Sequence, residues 1–272
     1  MTLTRKLATT AAALILNISA FSSNALGDEK ASSTLGSIYH AQINSYYSIN
    51  GFYNFSANQG DQKHLTVITD SSGKIDELIN IIQGDFENSS KSETEAFKNT
   101  NSAWKKYKKI LNLNIKEVKS TGYPDLRLAG DMATENINLN ESLKTLYSTL
   151  ASDAANQPDN ATKTSRKVGM TLALMMTKYS ARSTSTVSQV YSGGDMEITI
   201  DSLAKEFEAG LNELAVLFKD NEQALDLLDS ASTKWDFIKS SYINYNENRV
   251  NFIVNLYSKK IITDINSALQ GL

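Results

Sequence analysis

The sequence has no cysteine and only two histidines. The missing cysteine excludes a disulfide scaffold, a cysteine-based zinc site and a cysteine nucleophile. The histidines, His40 and His64, are too few for most metal sites, and a metal pair is less expected than two isolated, exposed side chains. Zinc-protease, serine-hydrolase, phosphate-loop and Glu-x-x-His patterns are also missing. We therefore expect no enzyme activity, no bound metal and no cofactor.

The chain has only two prolines, and one long apolar run, which lies at its start. Arg5 and Lys6 precede the apolar segment Leu7–Phe21, and Ser23-Asn24-Ala25 is a small-x-small cleavage pattern. Residues 1–25 are therefore predicted to be a cleavable signal peptide, which predicts a periplasmic or secreted protein. An uncleaved anchor is the alternative, although the run is shorter than the roughly 20 residues that span a membrane.

Neither sign of charge dominates the chain. The formal charge is −3, and removal of Arg5 and Lys6 with the signal peptide makes it about −5. Nucleic-acid binding usually needs a strongly basic face, so a nucleic-acid partner is not expected. No later segment combines the length and apolarity of a membrane span, so we also expect no stable membrane insertion.

What the chain does contain is a set of helical periodicities, of which the segment Val168–Tyr191 is the clearest. Val168, Leu172, Met175 and Tyr179 fall on one helical face, and the segment has no acidic residue and no proline. A helix of this kind is expected deep in a bundle. We treat it as the element around which the chain is organised.

The periodicities predict an all-α fold of tandem antiparallel four-helix-bundle modules. After the signal peptide we expect a flexible leader at 26–37, a first module at 38–151, a linker at 152–164 and a second module at 165–272. The segment Leu65–Thr69 is assigned to the end of the first helix, although its β-branched residues would also suit a short strand, and Ser71-Ser72-Gly73 is predicted to break the chain. The remaining helices are predicted at Ile75–Ile82, Glu93–Leu113, Leu128–Leu150, Arg166–Tyr191, Met196–Phe218, Asn221–Tyr242 and Arg249–Leu269.

Landmarks in the two halves pair at an offset of roughly 125 residues, which indicates an internal repeat. Trp104 and Trp235, the only tryptophans, occupy equivalent third helices. Ile75-Asp76 is paired with Ile200-Asp201 in the second helices. We therefore predict that the two tryptophans have related environments.

The second half resembles a known sensory-domain family. Leu203-Ala-Lys-Glu-Phe207-Glu-Ala-Gly210-Leu211 matches a helix pattern L-x-x-x-F-x-x-G-L, and Trp235 matches a single tryptophan in the following helix. Both belong to the PilJ-type sensory domain at the N-terminus of the type IV pilus methyl-accepting chemotaxis transducer. The resemblance implies a helical sensory domain for chemosensory signal transduction, in degenerate tandem copies.

The resemblance also has departures that bear on the ligand. Related domains use arginines on the first helix to grip a small oxyanion, but Val168-Gly169-Met170 and Leu174-Met175 stand at the corresponding positions. Leucine and methionine cannot replace a bidentate guanidinium, so the family's anion site is expected to be absent. Of the charged motif positions, only Lys178 carries over.

The candidate binding residues are Arg166, Lys178 and Arg182, on or near the organising helix. Lys178 and Arg182 are i, i+4 neighbours, so both are expected to point the same way and attract an anionic ligand or a partner. Ordinary surface charges are the alternative. Since no span follows, we expect a free-standing exported module that binds a partner or a small molecule and acts through a separate membrane receptor or pilus-associated protein. A secreted effector, either an adhesin or a pore-former that inserts Val168–Met176, is the alternative.

Overall fold

The computed structural model describes residues 22–86, 90–153, 156–183, 198–244 and 250–270, with side chains from residue 33 onward. These residues form eight α-helices and no strand, which confirms the all-α prediction. The helices are α1 (Ser22–Ala57), α2 (Gln62–Asp85), α3 (Lys91–Thr121), α4 (Leu126–Ala151), α5 (Asn160–Ser183), α6 (Ile200–Leu217), α7 (Glu222–Ile243) and α8 (Asn251–Gln270).

The first turn of the chain lies earlier than predicted. Gln59 and Gly60 have φ values of 52° and 90°, which end α1, and the Asp61 carboxylate caps α2 by accepting from the Lys63 backbone N–H at 2.7 Å. Leu65–Thr69 therefore belongs to α2 and not to the end of the first helix. Ser71-Ser72-Gly73 does not break the chain either, because a single glycine costs a helix only about 1 kcal/mol.

The predicted leader and linker are also corrected. Residues 26–37 lie within α1, and Leu35, near the end of this stretch, is fully buried. The linker is shorter than 152–164 because α5 already begins at Asn160, where the Asp159 carboxylate accepts from the Thr162 backbone N–H at 2.8 Å. The predicted signal peptide lies mostly outside the described residues, as do residues 184–191 of the predicted organising helix.

The eight helices enclose two hydrophobic cores. Helices α1 to α4 surround one core, and α5 to α8 surround the other. Short connections join the packed neighbours α1 and α2, α3 and α4, and α6 and α7, which makes the helices of each pair antiparallel. The two modules meet along α1 and α5, where Tyr39 and Ile43 of α1 reach into the second core and Ala181 of α5 reaches into the first.

The described part of the organising helix, α5, is buried as expected. Val168, Leu172, Met175 and Met176 are at most 2% exposed. The segment Val168–Met176, which the pore-former alternative would insert, is thus packed in the second core. None of the described helices is long and apolar enough to cross a membrane.

The tryptophans have matching environments in the two modules, as predicted. Trp104 Nε1 on α3 donates to the Asp76 carboxylate of α2 at 2.9 Å. Trp235 Nε1 on α7 donates to the Glu208 carboxylate of α6 at 3.0 Å. The structural counterpart of Asp76 is therefore Glu208, and the predicted pairing of Ile75-Asp76 with Ile200-Asp201 is wrong.

A lysine completes each tryptophan–carboxylate pair. Lys108, four residues after Trp104, binds the Asp76 carboxylate at 2.5 Å, and Lys239, four residues after Trp235, binds the Glu208 carboxylate. In an α-helix, residues four apart share a face, so tryptophan and lysine approach the same acid together. Both modules thus join their second and third helices through the same acid–Trp–Lys contact.

Candidate functional site

A groove of about 760 Å³ lies where the two modules meet. One wall is the C-terminal half of α1, the second is the start of α2, and the third is the start of α8. Helices from both modules therefore shape it. Its volume falls within the range of about 300–1,000 Å³ that is typical of small-molecule sites.

An asparagine at the base of the groove joins three helices. The Asn50 side-chain amide of α1 donates to the Met176 carbonyl at 3.2 Å and to Ser180 Oγ at 2.8 Å, both on α5. It also donates to Asn255 Oδ1 of α8 at 2.9 Å. Asn50 is only 2% exposed. Buried polar contacts of this kind favour one arrangement of the helices, because any other leaves the amide unsatisfied.

Two further asparagines continue along the same face of α1. Asn54 Nδ2 donates to the Asn50 carbonyl at 2.8 Å, and Asn58 Nδ2 donates to the Asn54 carbonyl at 2.7 Å. Both line the groove. This side of the groove is therefore polar but uncharged.

Two lysines supply positive charge to the groove, and each contacts an aromatic ring. Lys259 Nζ of α8 lies 4.7 Å from the centre of the Tyr47 ring. Lys63 Nζ of α2 lies 4.6 Å from the centre of the Phe252 ring on α8. Burial lowers the pKa of Lys259 below its ordinary value, because the charged ammonium is poorly solvated there.

His64 is the third basic group of the groove. Its pKa is lowered by burial; the Asp61 carboxylate opposes this shift, and the positive charges of Lys63 and Lys259 add to it. The imidazole is therefore held neutral near pH 7 and can both donate and accept a hydrogen bond. It is partly buried, which corrects the expectation of an exposed histidine.

His40, the other histidine, lies elsewhere on α1 and is also partly buried. Burial lowers its pKa, and the positive charges of Arg166 and Lys74 lower it further. Among the residues with described side chains, no cluster of three or more His, Asp or Glu residues could hold a metal ion.

The three predicted site residues do not line this groove. Arg166 Nη1 donates to the Tyr147 hydroxyl of α4 at 3.0 Å, so this arginine joins α5 to the first module. Lys178 is only 8% exposed, and its ammonium donates to the Ile198 carbonyl before α6 at 2.5 Å. Arg182 is exposed, so the i, i+4 spacing did not place the two cations in one environment. Their role in binding stays a prediction.

The groove was not predicted from the sequence, although one of its walls follows a visible pattern. Asn50, Asn54 and Asn58 recur every four residues, which places three amides on one helical face. Lys63 and Lys259 are nearly two hundred residues apart, so no local pattern could have joined them. No family model, no curated protein and no solved structure matches this chain.

Proposed function

We propose that this protein is an exported helical sensory module that binds a small molecule in the groove between its two bundles. The observation that carries the proposal is the position of Asn50, which forms the base of the groove and also bonds α1 to α5 and α8. A ligand in the groove would thus lie against the contacts that hold the two modules together.

The signal would be a change in the packing of one module against the other. A ligand shifts such an equilibrium only by the difference between its affinities for the two arrangements. A groove with walls from both modules supplies that difference, because movement of α8 relative to α1 changes the wall that the ligand contacts. Packed helices move between distinct arrangements rather than deforming gradually. A small shift at Asn255 can therefore be carried along the whole of α8.

The proposed setting is the cell envelope, with a separate membrane receptor or pilus-associated protein as the partner that receives the signal. The predicted signal peptide and the resemblance to PilJ-type sensory domains support this setting. An intact mass measured on the exported protein tests the first point, because cleavage near Ala25 leaves a chain that begins near Leu26. A full-length mass in the membrane fraction would refute it.

Binding is tested with a variant that fills the groove and a matched control. Ala57 is exposed and lines the groove, and Ala215 is exposed on α6 away from it. We expect a small-molecule extract of the native envelope to raise the Tm of the wild type and of Ala215→Trp, but not that of Ala57→Trp. If the extract leaves the wild-type Tm unchanged, or stabilises all three chains equally, the groove is not a ligand site.

A further inference from the structure

The geometry points to a small organic anion, a carboxylate attached to a compact apolar group, as the ligand of this groove. This inference rests on the proposed binding function and adds the chemical class. The carboxylate would lie against Lys259, with Lys63 at the mouth of the groove. The apolar group would contact Phe252 and Leu256 of α8.

The charge balance of the groove favours an anionic ligand. Within the described part of the chain, Lys259 forms no ion pair with a carboxylate, and its ammonium lies over the Tyr47 ring. A ring face attracts a cation weakly compared with a carboxylate. Placing a charged group in a partly buried position without a counter-ion is unfavourable, so a ligand anion that pairs with Lys259 would be favoured.

The other groups around the groove leave the positive charge in excess. Lys63 also forms no ion pair with a carboxylate among the described residues, and its ammonium lies over Phe252. Asp61 is the acidic group of the lining, and it is engaged at the start of α2 as the helix cap. Helix α8 begins at the groove, so the positive end of its dipole adds to the field of the lysines. A cationic ligand would meet net repulsion here.

The lining of the groove is divided into a polar part and an apolar part. Asn50, Asn54 and Asn58 lie on the α1 side, whereas Phe252 and Leu256 lie on α8. Phe252 is 56% exposed and Leu256 is 37% exposed, so apolar surface remains in contact with water. Covering such surface is favourable at about 25 cal/mol per Å². A bare inorganic anion would use the lysines but leave these side chains uncovered.

The experiment compares three probes that share one apolar part: 3-phenylpropionate, 3-phenylpropanol and 3-phenylpropylamine. Calorimetric titration of the mature chain should show binding of the carboxylate, binding of the alcohol at least about tenfold weaker, and none of the amine. A hydrogen bond to a charged group contributes about 1.5–3 kcal/mol, which corresponds to roughly ten- to hundredfold in affinity. Inorganic phosphate, as a fourth probe, should bind more weakly than the carboxylate.

Adjacent lysines give a matched pair of variants. Lys259→Met removes the groove charge and keeps the length of the side chain. Lys260→Met removes the same charge from the next residue, which lies 5.7 Å from the Tyr257 ring and outside the groove lining. We expect at least a tenfold loss of 3-phenylpropionate affinity in Lys259→Met and an unchanged affinity in Lys260→Met. Lys63→Met, a second variant at the mouth of the groove, should lose 3-phenylpropionate affinity by a smaller factor.

Different results separate this inference from the proposed function. If the amine or the alcohol binds as tightly as the carboxylate, and Ala57→Trp abolishes that binding, the groove is a ligand site but the anion assignment is wrong. Equal losses in Lys259→Met and Lys260→Met would mean that net charge alone governs binding, which also overturns the assignment. If neither the probes nor the envelope extract bind, both proposals fail.

Discussion

Substitution of Gly169 by alanine tests how the two modules are held together. Gly169 lies on α5, and a Cβ atom added there would be 2.2 Å from the Tyr39 hydroxyl oxygen of α1. Atoms in contact normally lie about 3.5–4.0 Å apart, so the hydroxyl would have to move by more than 1 Å. Tyr39 is only 3% exposed and donates to Asn266 Oδ1 of α8 at 2.9 Å. The movement therefore breaks a buried hydrogen bond as well as the packing.

The expected cost follows from three contributions. Overpacking a well-filled interior costs about 1–3 kcal/mol, and leaving a buried polar group unsatisfied costs about 1–3 kcal/mol. Alanine regains about 1 kcal/mol of helix propensity. We therefore expect Gly169→Ala to lower the free energy of unfolding by about 1–5 kcal/mol. Adding Tyr39→Phe, which removes the clashing oxygen, should recover part of the loss.

The assay is urea denaturation followed by tryptophan fluorescence, with Gly73→Ala as the matched control. Gly73 is also a helical glycine, but an added Cβ would meet nothing within 4 Å. That variant should gain about 1 kcal/mol, so the two glycine substitutions are expected to have opposite signs. A Gly169→Ala chain as stable as the wild type would refute the close α1–α5 approach and the joint between the modules that depends on it.

Two further predictions concern the helix contacts. Asn50→Ala should lower the free energy of unfolding by about 2–4 kcal/mol, because its amide partners on two helices stay buried, whereas Asn58→Ala should cost about 1 kcal/mol or less in the same denaturation assay. Burial and, after it, the positive charge of Arg166 lower the pKa of His40, so Arg166→Gln should raise that pKa. Lys167→Gln, the control, should change the pKa less. NMR titration of the His40 imidazole measures the pKa in both variants. Folding favours the neutral form of His40. The contribution of His40 to stability is therefore complete above pH about 6.5 and is lost as the pH falls through the lowered pKa. Because the pKa is lowered less in Arg166→Gln, the stability of that variant should fall less on acidification.

The sequence predicted the helices best where apolar residues recur with helical spacing. Helix α6 is an example. Leu203, Phe207 and Leu214 form its apolar face, and the helix begins and ends within four residues of the predicted bounds. The prediction of helices failed where the amino-acid composition suggested a flexible segment. Residues 26–37 are mostly polar and small, yet they lie within α1, and Leu35 among them is fully buried. Likewise, Ser71 and Gly73 have low helix propensity, but tertiary packing tolerates them inside a helix.

The sequence by itself determined the fold class, because helical periodicity is a local feature that each half of the chain carries. Only the tertiary structure decided which charges act together. Arg166 and Lys178 looked like binding groups, but folding engages them with Tyr147 and with a backbone carbonyl. No sequence pattern connected Lys63 with Lys259, but folding places them in one groove. The physical reason is that burial and charge pairing depend on distance in space, which separation along the chain does not fix.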